Sequence, residues 1–433
     1  MWPHILFEKK RKMESMTNSN GHWLTIEPYV FIFKGKTKYV LYNSLSKCSK
    51  KIMVKGNEMI VAVLEQLLKM ENLYAIDLPD LYWYNDQFQQ FIQDLKDGYF
   101  GDTFSKSLFK YRPISLPPVV KIKNSSQNIN QYEELQGNDT YLRFLHELSV
   151  YLLGKCELNC AFCDCYYKQV PFCHKSDCQF SEQDLDLLLD MISKSPNLSI
   201  LNIFGGNVLK YEHLNHLLDE IILISHPVEV RVFVYYKLCI GSDLARLVNQ
   251  YGIHLHILFD FDDFDSESMS VFNMKSIIGH VTYDFVCKDE EEYGYIIGLI
   301  NTHRVRDFNI FPFYDNNDAF FRKLVYSAED EILEAEHSRK NIFAKQLFNV
   351  FYYGKMIVSA NKQVLDCING TCIGKIQDGV IELVKKCLND GSSWFRTRDK
   401  LKPCSDCAYR FLCPPPSNYE IAIGKPNLCT VKP

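Results

Sequence analysis

Lys155-Cys156-Glu157-Leu158-Asn159-Cys160-Ala161-Phe162-Cys163 sets three cysteines at a C-x3-C-x2-C spacing. Directly before it runs Leu148-Ser149-Val150-Tyr151-Leu152-Leu153, an apolar segment of strand length. The thiols therefore fall at the carboxyl end of a predicted strand. Thiolates this close together can grip one face of an iron–sulfur cluster. Three protein ligands leave one iron of a [4Fe–4S] cluster open to a substrate or cofactor, whereas a fully ligated metal site is usually structural. The competing readings are a zinc knuckle and buried thiols. Zinc prefers four ligands, usually as paired C-x2-C units.

Outward from this run, strands are predicted over 148–153, 198–204, 228–235, 254–259, 280–286 and 308–313. Helical patterns lie between them, over 182–194, 212–223, 242–249, 266–274 and 290–301. Such alternation predicts an α/β fold with a parallel sheet and right-handed crossovers. The sheet either curls into a partial barrel or stays open. In both cases sites belong at the carboxyl ends of the strands. Gly205-Gly206-Asn207 follows the second strand, and Asp260, Asp262 and Asp263 follow the fourth, on the same rim as the thiols. An ordinary strand-end turn would also explain the glycines. A solvated acidic loop or helix cap would explain the aspartates.

Before this region, Tyr29–Phe33 and Thr37–Tyr42 flank the turn Lys34-Gly35-Lys36 and predict a hairpin. An amphipathic helix follows from Asn57-Glu58, carrying Ile60, Val61, Val63, Leu64, Leu67 and Leu68, and a second covers 87–95. A Pro/Ser/Asn-rich connector then begins, in which 119–122 could form a strand. The expected organisation is a hairpin-and-helix domain (1–111), a connector (112–141), the α/β region (142–327) and a cysteine-rich tail region (328–433).

The tail holds Cys404-Ser405-Asp406-Cys407, then Cys413 and Cys429. Four thiolates make a closed site, and the spacing alone suits either zinc or an iron–sulfur cluster. Upstream, Lys355–Val358 and Val364–Cys367 flank Asn361-Lys362. Cys165, Cys173 and Cys178 crowd the loop after the first motif; extra ligands, a redox pair or packing thiols all fit. Cys48, Cys239 and Cys287 read as core.

Net charge is −5, and no basic field points to nucleic acid or an anionic membrane. Nothing approaches an apolar span of about 18 residues. The start, Met1-Trp2-Pro3-His4-Ile5-Leu6-Phe7, places its charges after a short apolar run, the wrong order for a secretory leader. Met13 is an alternative start. The 16 cysteines of so long a chain fit a reducing cytoplasm with thiols available for metal.

The C-x3-C-x-aromatic-C segment after a first strand resembles the signature of the radical S-adenosylmethionine superfamily, whose fold is a partial (β/α)6 barrel. The resemblance implies that Cys156, Cys160 and Cys163 ligate a [4Fe–4S] cluster. Its open iron would hold the amino and carboxylate groups of S-adenosylmethionine, with Phe162 near the adenine. Gly205-Gly206-Asn207 matches the family's Gly-Gly-Glu element, which holds the cofactor's ammonium. Asn207 replaces the acid, so it offers an acceptor without charge, and charge-assisted bonds are roughly twice as strong. Asp260 would contact the ribose or a substrate amine.

The tail resembles the SPASM domain of peptide-modifying radical enzymes. This implies an auxiliary [4Fe–4S] cluster on Cys404, Cys407, Cys413 and Cys429. Cys367 and Cys372 match two ligands of a further cluster. The family then expects a cysteine four residues after Cys413, where this chain has Ser417, and Cys387 is poorly placed to replace it. One auxiliary cluster and an incomplete second are expected. The N-terminal region resembles a winged-helix-like peptide-recognition domain, which can add a peptide to its sheet edge; a plain accessory domain is the alternative. As a whole the chain resembles radical SPASM peptide maturases of the Bacteroidales type, including their degenerate partner proteins. What this implies is radical modification of a ribosomally made precursor peptide, through a C–C or thioether crosslink or similar change. The implied partners are that peptide, a reductant protein and a partner maturase subunit. The alternatives are a non-catalytic partner that binds the precursor, and a zinc-stabilised binding protein. No residue stands out as a general base.

Overall fold

The computed structural model describes residues 21–119, 138–158, 160, 162–240, 244–261, 264, 269–272, 280–388 and 392–432. Asp262 and Asp263, the expected strand at 120–122 and most of the expected helix over 266–274 lie outside the described residues.

The first strands are β1 (His22–Ile26), β2 (Val30–Lys34), β3 (Lys38–Asn43), β4 (Ser49–Met53), β5 (Ala75–Leu78) and β6 (Gly101–Ser105). They form two antiparallel sheets, β5-β1-β6 and β2-β3-β4. The predicted hairpin is β2–β3, and Gly35 donates its N–H to Lys38 O across the turn. Helix Glu58–Leu67 buries Ile60, Val63, Leu64 and Leu67, the i, i+3, i+4, i+7 stripe that its sequence spells. Helix Asp86–Asp97 starts at Asn85, whose side chain accepts from Phe88 N, and buries Phe88, Phe91, Ile92 and Leu95. Both stripes pack on Tyr39 and Leu41 of β3. Val40 and Tyr42, on the opposite face, pack instead on Cys407, Ala408, Tyr409 and Leu412 of the tail. The period-two alternation of β3 thus joins the first and last parts of the chain.

The remaining strands are β7 (Glu147–Leu153), β8 (Ile200–Gly205), β9 (Glu229–Tyr235), β10 (His254–Phe259), β11 (Val281–Cys287), β12 (Phe308–Pro312), β13 (Lys355–Val358), β14 (Gln363–Leu365) and β15 (Cys372–Lys375). They make one nine-stranded sheet, ordered β12-β11-β10-β9-β8-β7-β13-β14-β15. Strands β7 to β12 run parallel and in chain order. The chain is a mixed α/β protein built on this large, mainly parallel sheet. β13, from the tail region, pairs in parallel with β7, so the sheet continues past the expected boundary at residue 327. Helix Glu182–Lys194 follows β7, is capped by Ser181 with Asp184, and buries Leu185, Leu188, Met191 and Ile192. Helices Leu214–Ile222, Leu244–Tyr251 and Glu290–His303 follow β8, β9 and β11. The other face of the sheet lines a cavity of about 330 Å³, reached by residues from every strand between β12 and β13. Among the described residues no helix is long and apolar enough to cross a membrane.

Candidate functional site

Parallel strand order brings the ends of β7 and β8 side by side. Gly206 N donates to Leu153 O at 2.6 Å, and Asn207 N donates to Lys155 O at 3.3 Å. A Cβ on Gly206 would lie 2.4 Å from Lys155 O and 2.7 Å from Cys156 Cβ. Only glycine allows the second strand's turn to lie this close to the cysteine loop. Asn207 is buried, at 5% exposure. Its Nδ2 donates to Glu157 Oε1 at 3.0 Å, and Lys210 Nζ reaches the same oxygen at 2.6 Å. Asn207 Oδ1 is buried without a hydrogen-bond partner. A cavity of about 450 Å³ beside it is lined by Cys156, Glu157, Lys175, Asn207 and Lys210.

The thiols gather at this rim. Cys160 is hydrogen-bonded to Cys163, and that bond, burial and the Asp260 charge push the Cys160 thiol far above its ordinary range. For Cys163 the Cys160 bond acts downward, but contact with Cys173 and burial outweigh it and push the thiol up to about 12. The two sulfurs, of Cys163 and Cys173, stand 3.5 Å apart. Without a metal these groups are neutral thiols; a metal would bind by displacing their protons. Asp260 is 2% exposed and accepts from Tyr235 Oη at 3.0 Å, so the end of β10 reaches Cys160. Phe162 stacks on Tyr166 at 5.3 Å, and Lys288 Nζ lies 4.1 Å from the Phe162 ring centre. Cys165 is exposed and Cys178 half-buried.

The second thiol group sits in the tail. Cys404, Cys407, Cys413 and Cys429 line one cavity of about 130 Å³, with Arg398 and Glu420 in its wall. One water needs only about 10–15 Å³ of such space. Among the described residues no group of three or more His, Cys, Asp or Glu could hold a metal ion as placed. By ligand type the tail thiols suit zinc or an iron–sulfur cluster alike. Arg398 Nη2 pairs with Glu420 at 2.6 Å, and its Nη1 lies 3.9 Å from Cys404 Sγ. Burial pushes Cys413 up to about 12. Ser417, at the position where a further cysteine was expected, opens helix Asn418–Ala422 and donates its N–H to Glu420 at 2.7 Å. Cys367 is buried beside Ser393 Oγ at 3.2 Å, while Cys372 is exposed on β15 and Cys387 buried in helix Val380–Cys387.

The structure thus brings Cys156, Cys160, Cys163, Gly206, Asn207 and Asp260 to one rim, and the four tail thiols to one cavity. Sequence reasoning missed Glu157, Lys210, Tyr235 and Lys288. Glu157 lies inside the C-x3-C run itself, and that position was its only signal.

No protein-family model matches the chain, and no curated protein does. Similar solved structures are Streptococcus suis SuiB (TM-score 0.41, 14% identity, 90% of this chain and 94% of that one) and SuiB bound to precursor peptide SuiA (0.40, 14%, 90% and 94%). Another is BtrN in complex with AdoMet and 2-DOIA (0.33, 10%, 57% of this chain and 84% of that one). At these scores and identities the likenesses assign neither fold nor activity.

Proposed function

We propose that the chain is a radical S-adenosylmethionine enzyme that modifies a ribosomally made precursor peptide. Asn207 Oδ1 carries this reading: it is a buried acceptor with no partner, on a side chain bonded to the loop that holds Cys156 and Cys160. Buried acceptors are rarely left unpaired, and an ammonium group is a donor suited to fill the place. Cys156, Cys160 and Cys163 would hold a [4Fe–4S] cluster, which with S-adenosylmethionine would supply radical chemistry able to take hydrogen from an unactivated carbon. Gly206 holds the two rim segments together. Glu157 accepts from Asn207 Nδ2 and so fixes which way the amide turns. Asp260, fixed by Tyr235, is the acceptor proposed for a ribose hydroxyl or substrate amine. Phe162 contributes an aromatic wall for the adenine.

The large sheet is proposed to curl as a partial barrel. β12 and β13 are six strand steps apart, about 29 Å in a flat sheet, yet Asn309 and Ile357 line the same cavity. The tail is the proposed SPASM-like unit with one auxiliary [4Fe–4S] cluster. Cys367 and Cys372 differ too much in burial to read as one finished second site. The outer strand β4 is the edge proposed to receive a leader peptide. The 16 cysteines of so long a chain suit a reducing cytoplasm.

A second reading is a non-catalytic partner that binds the precursor and assists another maturase. Asn207, which carries no charge, and Ser417, which caps a helix instead of offering a thiol, favour it. Anaerobic reconstitution separates the readings. The enzyme should bind about eight irons per chain and form 5′-deoxyadenosine when given reductant, S-adenosylmethionine and precursor peptide. No 5′-deoxyadenosine above a Cys156→Ala control would leave the partner reading standing; zinc in place of iron would leave the binding protein.

A further inference from the structure

One group of buried polar residues lies outside both thiol sites, on the cavity face of the large sheet. His256 stands on β10 and Asp284 on β11, and parallel register puts them on the same face. His256 Nδ1 and Asp284 Oδ2 are 2.7 Å apart. Asp284 is 1% exposed, and its second oxygen accepts from Asn309 Nδ2 at 2.7 Å. A carboxylate can only accept here, so Nδ1 carries the proton, and in the neutral imidazole Nε2 presents a lone pair. His256 is about nine-tenths buried, at 9% exposure. Its Nε2 has no partner, alone among the buried side-chain nitrogen and oxygen atoms of the described residues that line this cavity. The neighbouring charges satisfy one another: Glu147 pairs with Lys355 at 2.7 Å, and Arg231 with Glu229 at 2.7 Å.

An aromatic shelf leads to that lone pair. Tyr151 stacks on Phe204 at 4.9 Å, Phe204 on Phe233 at 4.1 Å, and Phe233 on the His256 ring at 4.3 Å, all within 20° of parallel. The cavity of about 330 Å³ runs between Tyr167 and Pro171, just past the cysteine loop, and Tyr352 and Cys367 on the tail side. A column of apolar rings ending in one buried acceptor suits an apolar ring with one hydrogen-bond donor at its tip.

We propose that this cavity is a side-chain subsite for the substrate peptide, selecting an aromatic residue with an O–H or N–H donor that His256 Nε2 reads. Asp284 is the positioning residue: it holds the tautomer that makes Nε2 an acceptor. The identification of the ligand as a peptide side chain rests on the proposed function; the preference for a donor-bearing ring does not.

The test uses the purified full-length chain and ligand-observed NMR with p-cresol, 3-methylindole, toluene and 4-methylanisole as probes. p-Cresol or 3-methylindole should bind about 5–10-fold more tightly than toluene, the value of one hydrogen bond in a buried site. His256→Phe should keep the shelf and erase the preference. If that variant fails to fold, Asp284→Asn is decisive, because it keeps shape. Asn309 still needs an acceptor at residue 284, so the introduced amide turns its N–H₂ toward Nδ1, and Nε2 takes the proton. The preference for p-cresol over 4-methylanisole should then collapse or reverse. Equal binding of p-cresol and toluene by the native chain, no binding of either, or an unchanged preference in folded Asp284→Asn would overturn the proposal. Donor preference without 5′-deoxyadenosine formation would keep this site and sink the radical enzyme; the opposite result would do the reverse.

Discussion

The two thiol sites offer similar ligands in unlike settings. At the end of β7, three cysteines share a rim with a buried, unpartnered Asn207 Oδ1 and a cavity of about 450 Å³. In the tail, four cysteines surround a space of about 130 Å³, backed by the Arg398–Glu420 pair and by the β2–β3 hairpin packed on Cys407 to Leu412. A site with an opening and an unsatisfied acceptor is arranged to receive something. A site enclosed by its own chain is arranged to hold that chain together. Losses at the rim should therefore appear in chemistry, and losses in the tail in stability.

The largest contrast should come from Cys156→Ala. It should lower 5′-deoxyadenosine formation at least ~1,000-fold, about 4 kcal/mol of barrier, and remove about four irons per chain. Thermal unfolding should barely move, because Cys156 is half-buried on a loop. A melting temperature that falls with the activity would erase the contrast.

Arg398→Met should do the opposite. It leaves Glu420, only 3% exposed in its side chain, as a buried charge without its partner. Breaking such a pair costs about 3–5 kcal/mol. The tail iron should be lost with it, since Arg398 also faces Cys404. Denaturant unfolding and iron analysis read both effects. Full stability in Arg398→Met would mean that the tail is not what closes the fold.

How far these sites could be read from sequence follows from how local they are. The C-x3-C-x2-C run, the six predicted strands and the helix 182–194 rest on short-range spacing and period, and they appear in the structure as β7 to β12 and Glu182–Lys194. Ser417 and Glu420 spell a capping box, a local signal legible in the sequence. The dyad of His256 and Asp284 depends on the register of two parallel strands, which no local pattern supplies. The pairing of β13 with β7, across some two hundred residues, was equally out of reach. So was the burial of Asn207: as a strand-end polar residue it gave no sign of an orphaned oxygen.

Gly206→Ala probes the rim more gently than losing a thiol. The added methyl meets backbone at Lys155 O, which cannot swing aside as a side chain can. The two rim segments must part, at about 1–3 kcal/mol. S-adenosylmethionine affinity should fall about tenfold by equilibrium dialysis, while tail iron is kept. Unchanged affinity would remove Asn207 and its turn from the cofactor's surroundings.

The smallest effect tests the tail's hold on the N-terminal hairpin. Glu329 accepts from Lys51 and from Tyr409 Oη, each at 2.7 Å, and from Lys38 at 3.3 Å, so it ties β3 and β4 to the tail. Burial works to raise its pKa and is the largest single influence, but the bonds from Lys51, Tyr409 and Lys38 together win and hold it down to about 2, from an ordinary 4.5. A carboxyl depressed in the folded state stabilises fully above its unfolded pKa, and that stability fades as pH falls from about 4.5 toward 2. The group is partly exposed, so water screens it and the worth is about 0.5–1 kcal/mol. Glu329→Gln should thus melt slightly below the native chain at pH 7, and the two curves should converge as pH drops below 4. A gap as large at pH 2 as at pH 7 would mean that the hairpin is held by Val40, Tyr42 and their apolar contacts alone, and that the tail closes on the N-terminal sheet without help from charge.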